Sequence, residues 1–274
     1  MVFEIEGKVA LITGGASGLG LRYAEELLKN GLKAVVLADC DNEKGKASEE
    51  NLNETFGEGR ALFVKTDVSV LEEFEDAFKE TIKHFDHVDI LINNAGIMDD
   101  SIWEREIAVN MKGNIHGLIL GMEKFLKTYR QSDEAVIVNI SSVCGIECYG
   151  FLPVYCSIKL AIIGMTKAWG CPAHYEDSKI RVLCLSPGAT DTPMMQNLNP
   201  VRLIADHYSK ARIDFADTKE DICLQKLDVV AEELVRIIKY AKSGSIWIVE
   251  NDQPAYQYEF PARASLKNNA LEGN

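Results

Sequence analysis

Tyr155-Cys-Ser-Ile-Lys159 sets a phenol and an ammonium four residues apart. On a helix such a pair shares one face. A neighbouring cation favours the phenolate and lowers a phenol pKa from its ordinary ~10. A phenol tuned in this way can exchange a proton with an alcohol or a ketone near neutral pH. Ser142 follows an apolar strand-like run, Ala135 to Asn139, and its hydroxyl could hold the substrate oxygen beside the phenol. Ser141 is the rival, and Ser142 is preferred. By itself, Tyr-x-x-x-Lys can also be an accidental helix pair.

A second set of residues suits a nucleotide. Thr13-Gly-Gly-Ala-Ser-Gly-Leu-Gly20 joins an apolar run to a helical one, with Gly14, Gly18 and Gly20 spaced by Ser17 and Leu19. Glycines let the backbone turn tightly and approach a pyrophosphate, and the following helix N-terminus offers free N–H groups. The Gly-Lys-Ser/Thr of a P-loop is missing. Asp39 ends the next apolar run, where an acid accepts from a ribose diol and repels a 2′-phosphate. That predicts NAD over NADP. Asp67 and Val68 end a third run, where a carboxylate could reach an adenine amino group or simply close a turn. Asn94, Ala95 and Gly96 follow a fourth run, with small side chains where a cofactor must pass.

These residues need a frame, and the hydropathy pattern supplies one. Apolar runs at 8–13, 34–38, 61–65, 88–92, 135–139, 180–185 and 245–249 alternate with helical periodicity at 21–30, 42–56, 71–85, 103–129, 153–169 and 227–240. Short, continuously apolar strands separated by helices predict a parallel sheet covered on both faces. The expected fold is α/β: a single doubly wound Rossmann domain over 1–261 with about seven parallel strands, then a polar tail at 262–274. Residues 193–223 lack a period and read as a lid over the substrate. Pro172 should end or kink the helix before it. Helices 103–129 and 153–169 carry apolar residues beyond one face, namely Ile115, Leu118, Leu126, Ile162 and Met165, which predicts a homodimer or homotetramer.

The 274 residues carry a formal charge of -13, which argues against nucleic-acid and anionic-lipid surfaces. No run approaches the ~20 apolar residues of a membrane span. The acidic start and the Leu-Glu-Gly-Asn end match no targeting signal, so the expected location is cytoplasmic. Seven cysteines without a Cys-x-x-Cys pair predict neither a disulfide framework nor a metal site. Cys40, Cys156 and Cys184 read as small core residues.

The ordered set of motifs at 13–20, Asn93-Asn-Ala-Gly96, Asn110, Ser142, Tyr155-x-x-x-Lys159 and Pro187-Gly188-x-x-x-Thr192 resembles the short-chain dehydrogenase/reductase superfamily over about 5–250. Its nearest branch resembles NAD-linked 15-hydroxyprostaglandin dehydrogenases and insect alcohol dehydrogenases. The resemblance implies Tyr155 as general acid/base and Lys159 as both its tuner and a ligand of the nicotinamide ribose. Ser142 would orient the substrate and Asn110 would hold a relay water. Thr192 would meet the carboxamide, Ile97 would line the cleft, and Pro187, Gly188 and Thr190 belong to the same cofactor wall. The expected activity is an NAD-dependent alcohol dehydrogenase or carbonyl reductase. The alternatives are a hydroxyprostaglandin or hydroxysteroid dehydrogenase, an epimerase or dehydratase, and a catalytically silent nucleotide-binding protein. Met98, Ile146, Tyr149, Met194 and Met195, with Val143, Phe151, Leu198, Leu203 and Ile204, predict an apolar substrate pocket. Arg202 and Arg212 are the available anchors for a carboxylate.

Overall fold

The computed structural model describes residues 2–196, 223–262 and 265. Leu198, Arg202, Leu203, Ile204 and Arg212 of the expected lid, and most of the expected tail, lie outside the described residues.

The strands are β1 (Val9–Thr13), β2 (Ala34–Asp39), β3 (Ala61–Lys65), β4 (Ile90–Asn93), β5 (Ala135–Ile140), β6 (Ile180–Pro187), β7 (Ile246–Val249) and β8 (Tyr256–Tyr258). They form one sheet in the order β3-β2-β1-β4-β5-β6-β7-β8. β1 to β7 pair in parallel, and β8 adds antiparallel to β7. Seven parallel strands match the expectation, and the eighth corrects the count. β8 escapes notice because it is three residues long and mostly exposed. The left-handed residues Asn251 and Asp252 lie between it and β7.

Two apolar layers cover the sheet. On one face, α1 (Gly18–Lys29) lays Tyr23, Ala24, Leu27 and Leu28 against Ile12, Leu37 and the helix Leu227–Tyr240. On the other, α2 (Leu71–Phe85) and the long helix over 103–129 pack Phe74, Phe78, Leu118 and Phe125 onto Leu11, Val36 and Leu91. The Phe78 and Phe125 rings stack with centroids 4.6 Å apart. The long helix is not uniform: π turns occupy Ile107–Lys112 and Leu120–Phe125. The helix Pro153–Trp169 ends before Pro172, which starts a separate short helix, Pro172–Ser178.

Two packing expectations fail. Leu118, Leu126 and Ile162 are buried within the chain, and Met165 packs on the same core, so that stripe thickens the core rather than facing outward. Cys156 and Cys184 are buried, but Cys40 is exposed, because it is the first residue after β2, where the chain leaves the sheet.

Arg181 ties the far end of the fold together. Its guanidinium donates to Glu134 Oε2 at 2.8 Å and to the carbonyls of Ala241 and Ile238 at 2.7 and 2.8 Å. It therefore satisfies carbonyls at the C-terminal end of Leu227–Tyr240, where the helix dipole is negative. Arg181→Met keeps bulk but leaves these acceptors without donors. We expect a loss of about 3 kcal/mol in urea unfolding, the scale of buried charge-assisted hydrogen bonds. A loss below about 0.5 kcal/mol, the scale of an ordinary surface substitution, would show that water replaces the guanidinium.

Candidate active site

The strand order reverses between β1 and β4, so the loops after these strands diverge and leave a crevice at the carboxyl edge of the sheet. Thr13 and Asn94 hold the floor of this crevice. The Thr13 hydroxyl accepts from Asn94 N and Ala95 N at 3.0 and 3.1 Å. The Asn94 amide donates back to the carbonyls of Thr13 and Gly14 at 2.9 and 3.1 Å. Above it opens a cleft of about 750 Å³.

The glycine loop is shaped for a close ligand. Gly14 and Gly18 are left-handed, with φ of +63° and +55°. A Cβ on Gly20 would stand 2.1 Å from the Gly14 carbonyl oxygen, so no other residue fits there. Gly14, Ser17, Gly18 and Leu19 line the cleft, whereas Gly20 supports the turn from beneath. The N-terminus of α1 has no side-chain cap, which leaves its amide donors for an anion. Asp39 stands across the loop, accepting from Ala16 N and Asp41 N at 3.0 Å each. A glycine cradle, uncapped amides and a carboxylate at the end of β2 fit a dinucleotide.

Asp67 and Val68 also line the cleft, with Asn94, Ala95, Gly96, Ile97, Pro187, Gly188, Thr190 and Thr192. The Asp67 carboxylate is already engaged. It accepts from Ser69 Oγ at 2.7 Å and from Arg105 Nη2 at 2.8 Å. Partial burial raises its pKa, but these donors outweigh burial and hold it below the usual carboxylate range. Arg105, unremarked in the sequence, lines this end of the cleft.

The structure brings Ser142, Tyr155 and Lys159 together on one wall. Ser141 and Ser142 both line the cleft, and the Ser141 hydroxyl is buried and donates to the Lys159 carbonyl at 2.8 Å. Burial is the largest influence on Tyr155 and pushes its pKa up, opposed by a hydrogen bond from Ser142. Lys159 stands beside the phenol. Its Nζ lies 5.4 Å from the ring centroid and donates to the Ile140 carbonyl at 2.9 Å. Burial lowers Lys159 itself to about 8.

Asn110 holds the loop after β4 through its side chain. Its Oδ1 accepts from Ile97 N at 2.8 Å and its Nδ2 donates to Ile97 O at 2.7 Å. Both amide atoms are committed to clamping the loop after β4, and the residue sits in the first π turn of the long helix. π turns recur at functional positions, and this one is legible only in coordinates.

Met98, Tyr149, Met194 and Met195 line the other end of the cleft, with Val143, Phe151 and Leu152. Ile146 does not. It follows the 3-10 turn Val143–Gly145 and packs on Ile163, Cys184 and Ile246 under the sheet. Cys144 also lines this end. A hydrogen bond with Cys156, helped by Ser142 and Lys159, lowers its thiol below the ordinary range. Among the described residues no three His, Cys, Asp or Glu side chains gather as a metal ion would need.

The helix that carries Tyr155 lacks a cap of its own. Asp100 supplies one from the loop after β4, accepting from Val154 N at 2.7 Å and Tyr155 N at 3.1 Å. Sequence reasoning passed over Asp100, although Pro153 at the helix start and two acids after the Asn-Asn-Ala-Gly run were visible signals.

Comparison with known proteins agrees with this geometry. Residues 8–202 match the short chain dehydrogenase family. The 15-hydroxyprostaglandin dehydrogenase (NAD(+)) of Mus musculus is 36% identical over 195 residues, covering 71% of this chain and 72% of that protein. Alcohol dehydrogenase 1 of Ceratitis capitata is 28% identical over 245 residues, covering 89% and 92%. A solved short chain dehydrogenase/reductase from Burkholderia phymatum in complex with NAD superposes with a TM-score of 0.73 at 25% identity, covering 86% of this chain and 87% of that one.

Proposed function

The chain belongs to the short chain dehydrogenase family, and on that premise we propose that it is an NAD-dependent alcohol dehydrogenase, interconverting an apolar alcohol and its carbonyl compound. One observation carries the reading: Ser142, Tyr155 and Lys159 share a wall of the same cleft as the glycine loop. Bound NAD supplies the hydride acceptor in oxidation and, as NADH, the donor in reduction. Ser142 orients the substrate oxygen toward the phenol. In oxidation Tyr155 accepts the hydroxyl proton as the carbon gives up its hydride, and in reduction it returns a proton to the carbonyl oxygen. Lys159 places positive charge under the phenol ring when protonated and holds the β5 end through Ile140. Asp39 selects a ribose without a 2′-phosphate, and Gly14, Gly18 and the α1 amides take the pyrophosphate. Asn110 and Ile97 keep the loop after β4 in place.

Tyr155→Phe removes the transferable proton and almost nothing else. Turnover of alcohols should fall by at least ~10²-fold, the loss typical of a missing general acid/base. NADH binding, followed by fluorescence, should persist. Near-wild-type turnover would refute the assignment.

The substrate class follows from the other end of the cleft. Met98, Val143, Phe151, Leu152, Met194 and Met195 offer apolar and adaptable surface. The basic residues among the described lining are Arg105, which is tied to Asp67, and Lys159, which is buried. Neither serves as an anchor for a carboxylate, so an uncharged fatty, terpenoid or steroid alcohol is favoured over a hydroxy acid. kcat/KM should climb with chain length across a series of secondary alcohols. A flat series, or better turnover of sugars and carboxylate-bearing alcohols, would overturn the class.

We also propose a homodimer or dimer of dimers. The support is a different set of residues: Trp103, Ile119 and Leu160 are large, apolar and exposed on the long and tyrosine-bearing helices, with exposed Ile102 in the turn just before the long helix. Sedimentation at micromolar concentration should show a dimer or larger. A stable monomer would sink this part.

A further inference from the structure

Glu106 is a carboxyl group with no exposed surface, one turn before Asn110 in the long helix. The reaction described above makes no use of it. Its Oε1 accepts from Asp99 N at 3.1 Å, while its Oε2 is buried without a hydrogen-bond partner. A bare carboxylate oxygen in that position is costly. A proton on Glu106 turns the orphaned oxygen into a donor, and the group beside it able to accept is Asp100. Both Asp100 oxygens already accept from Val154 N and Tyr155 N. Neither acid lines the cleft, so neither touches substrate or cofactor.

We propose that Glu106 is a positioning residue that shares one proton with Asp100, and that this acid–carboxylate pair seats the first turn of the helix carrying Tyr155. The inference rests on Tyr155 being the proton-transferring group.

The electrostatics agree. Burial, together with the neighbouring Asp100 and Asp99, pushes Glu106 up to about 8, against the hydrogen bond from Asp99 N. The titratable groups facing it are Asp99 and Asp100 from the loop after β4, and Tyr155 and Lys159 from the tyrosine helix. Losing the Glu106 proton puts a second negative charge behind the phenol. That charge repels Asp100 and raises Tyr155 further, so less phenolate forms at a given high pH than if Glu106 stayed neutral. Stability moves the same way. A carboxyl raised in the folded state contributes stability that is fully present below its ordinary pKa, and that is lost as pH rises through about 8.

Glu106→Gln tests this, since its amide donates to Asp100 at every pH. In the full chain with NAD and an alcohol that the wild type oxidises, the ratio of variant to wild-type kcat/KM should rise about fivefold from pH 7 to pH 9.5. That corresponds to less than one pKa unit on the phenol. The fall of Tm between pH 6 and 9 should be shallower in the variant. Glu106→Leu fills the space without a donor and should lower kcat about tenfold at pH 7, with KM for NAD within about twofold, as expected for a misplaced reacting group. Parallel pH–rate profiles for wild type and Glu106→Gln, or parallel Tm profiles, overturn the shared proton. If Glu106→Leu does not fold, Glu106→Gln carries the test alone. A fully active Tyr155→Phe would sink the proton-transfer reading instead, and the Tm comparison needs no substrate.

Discussion

Everything at the site hangs on the cross-tie between Thr13 and Asn94. In a doubly wound sheet the loops after β1 and β4 must part, since their helices pack on opposite faces. Parting creates the crevice but would also leave its walls free to move. Four hydrogen bonds join the two loops at the point of divergence. They fix the Gly14 carbonyl, over which Gly20 must pass without a side chain. They also fix the start of the Asn94–Met98 loop, whose far end Asn110 clamps through Ile97. The phosphate cradle and the phenol therefore share one rigid origin, although they lie on elements far apart in sequence.

The proton-transfer site proposed here is buried, and the electrostatic cost of that burial is met by pairing rather than by solvent. Tyr155 and Lys159 are both buried, and burial drives the phenol up and the amine down. Both neutral forms gain, so the folded site favours a neutral phenol ready to donate. Forming phenolate in such surroundings needs compensating charge and hydrogen bonds at the moment of reaction. Ser142 is placed to give one of these. The polar thread continues through the sheet, where Asn93 Nδ2 donates to Asn139 Oδ1 at 2.9 Å and Asn139 Nδ2 to Thr166 Oγ1 at 3.0 Å. These side chains pin β4, β5 and the tyrosine helix in register, a use of buried polarity for specificity more than for stability.

The residues that gather along the cleft were legible in the chain. Gly14, Gly18, Asp39, Ser142, Tyr155 and Lys159 announce themselves through type, spacing and place at a strand end. Seven strands were legible because each is a continuous apolar run. What remained hidden depends on direction and partner. Ile146 has the right character for a substrate wall, but a 3-10 turn just before it swings the side chain under β6 and β7. Asn110 stood out for its poor helix propensity, yet only the π turn and the two bonds to Ile97 reveal a clamp. Spacing put Lys159 beside the Tyr155 ring but did not show that its Nζ donates to the Ile140 carbonyl. Glu106 shows the converse. It occupies an inward phase with Val109, Asn110 and Gly113, and an acid in that phase asks where its proton or partner lies.

The two ends of the cleft differ in how they are built, and that difference bears on how activity diverges. At the cofactor end, recognition is by backbone amides, glycines and one carboxylate, all anchored to strand ends, so small changes there disrupt the cradle itself. At the other end the wall is side chains on loops: Met98, Tyr149, Phe151, Met194 and Met195. Their backbone positions accept many residues, and loops tolerate exchange without cost to the sheet. The family match ends at residue 202. On the proposed function, such a chain keeps its hydride chemistry fixed while its choice of alcohol is free to change, because Tyr155 and Lys159 stand on the tyrosine helix and Ser142 lies just after β5, away from the loops at the far end of the cleft.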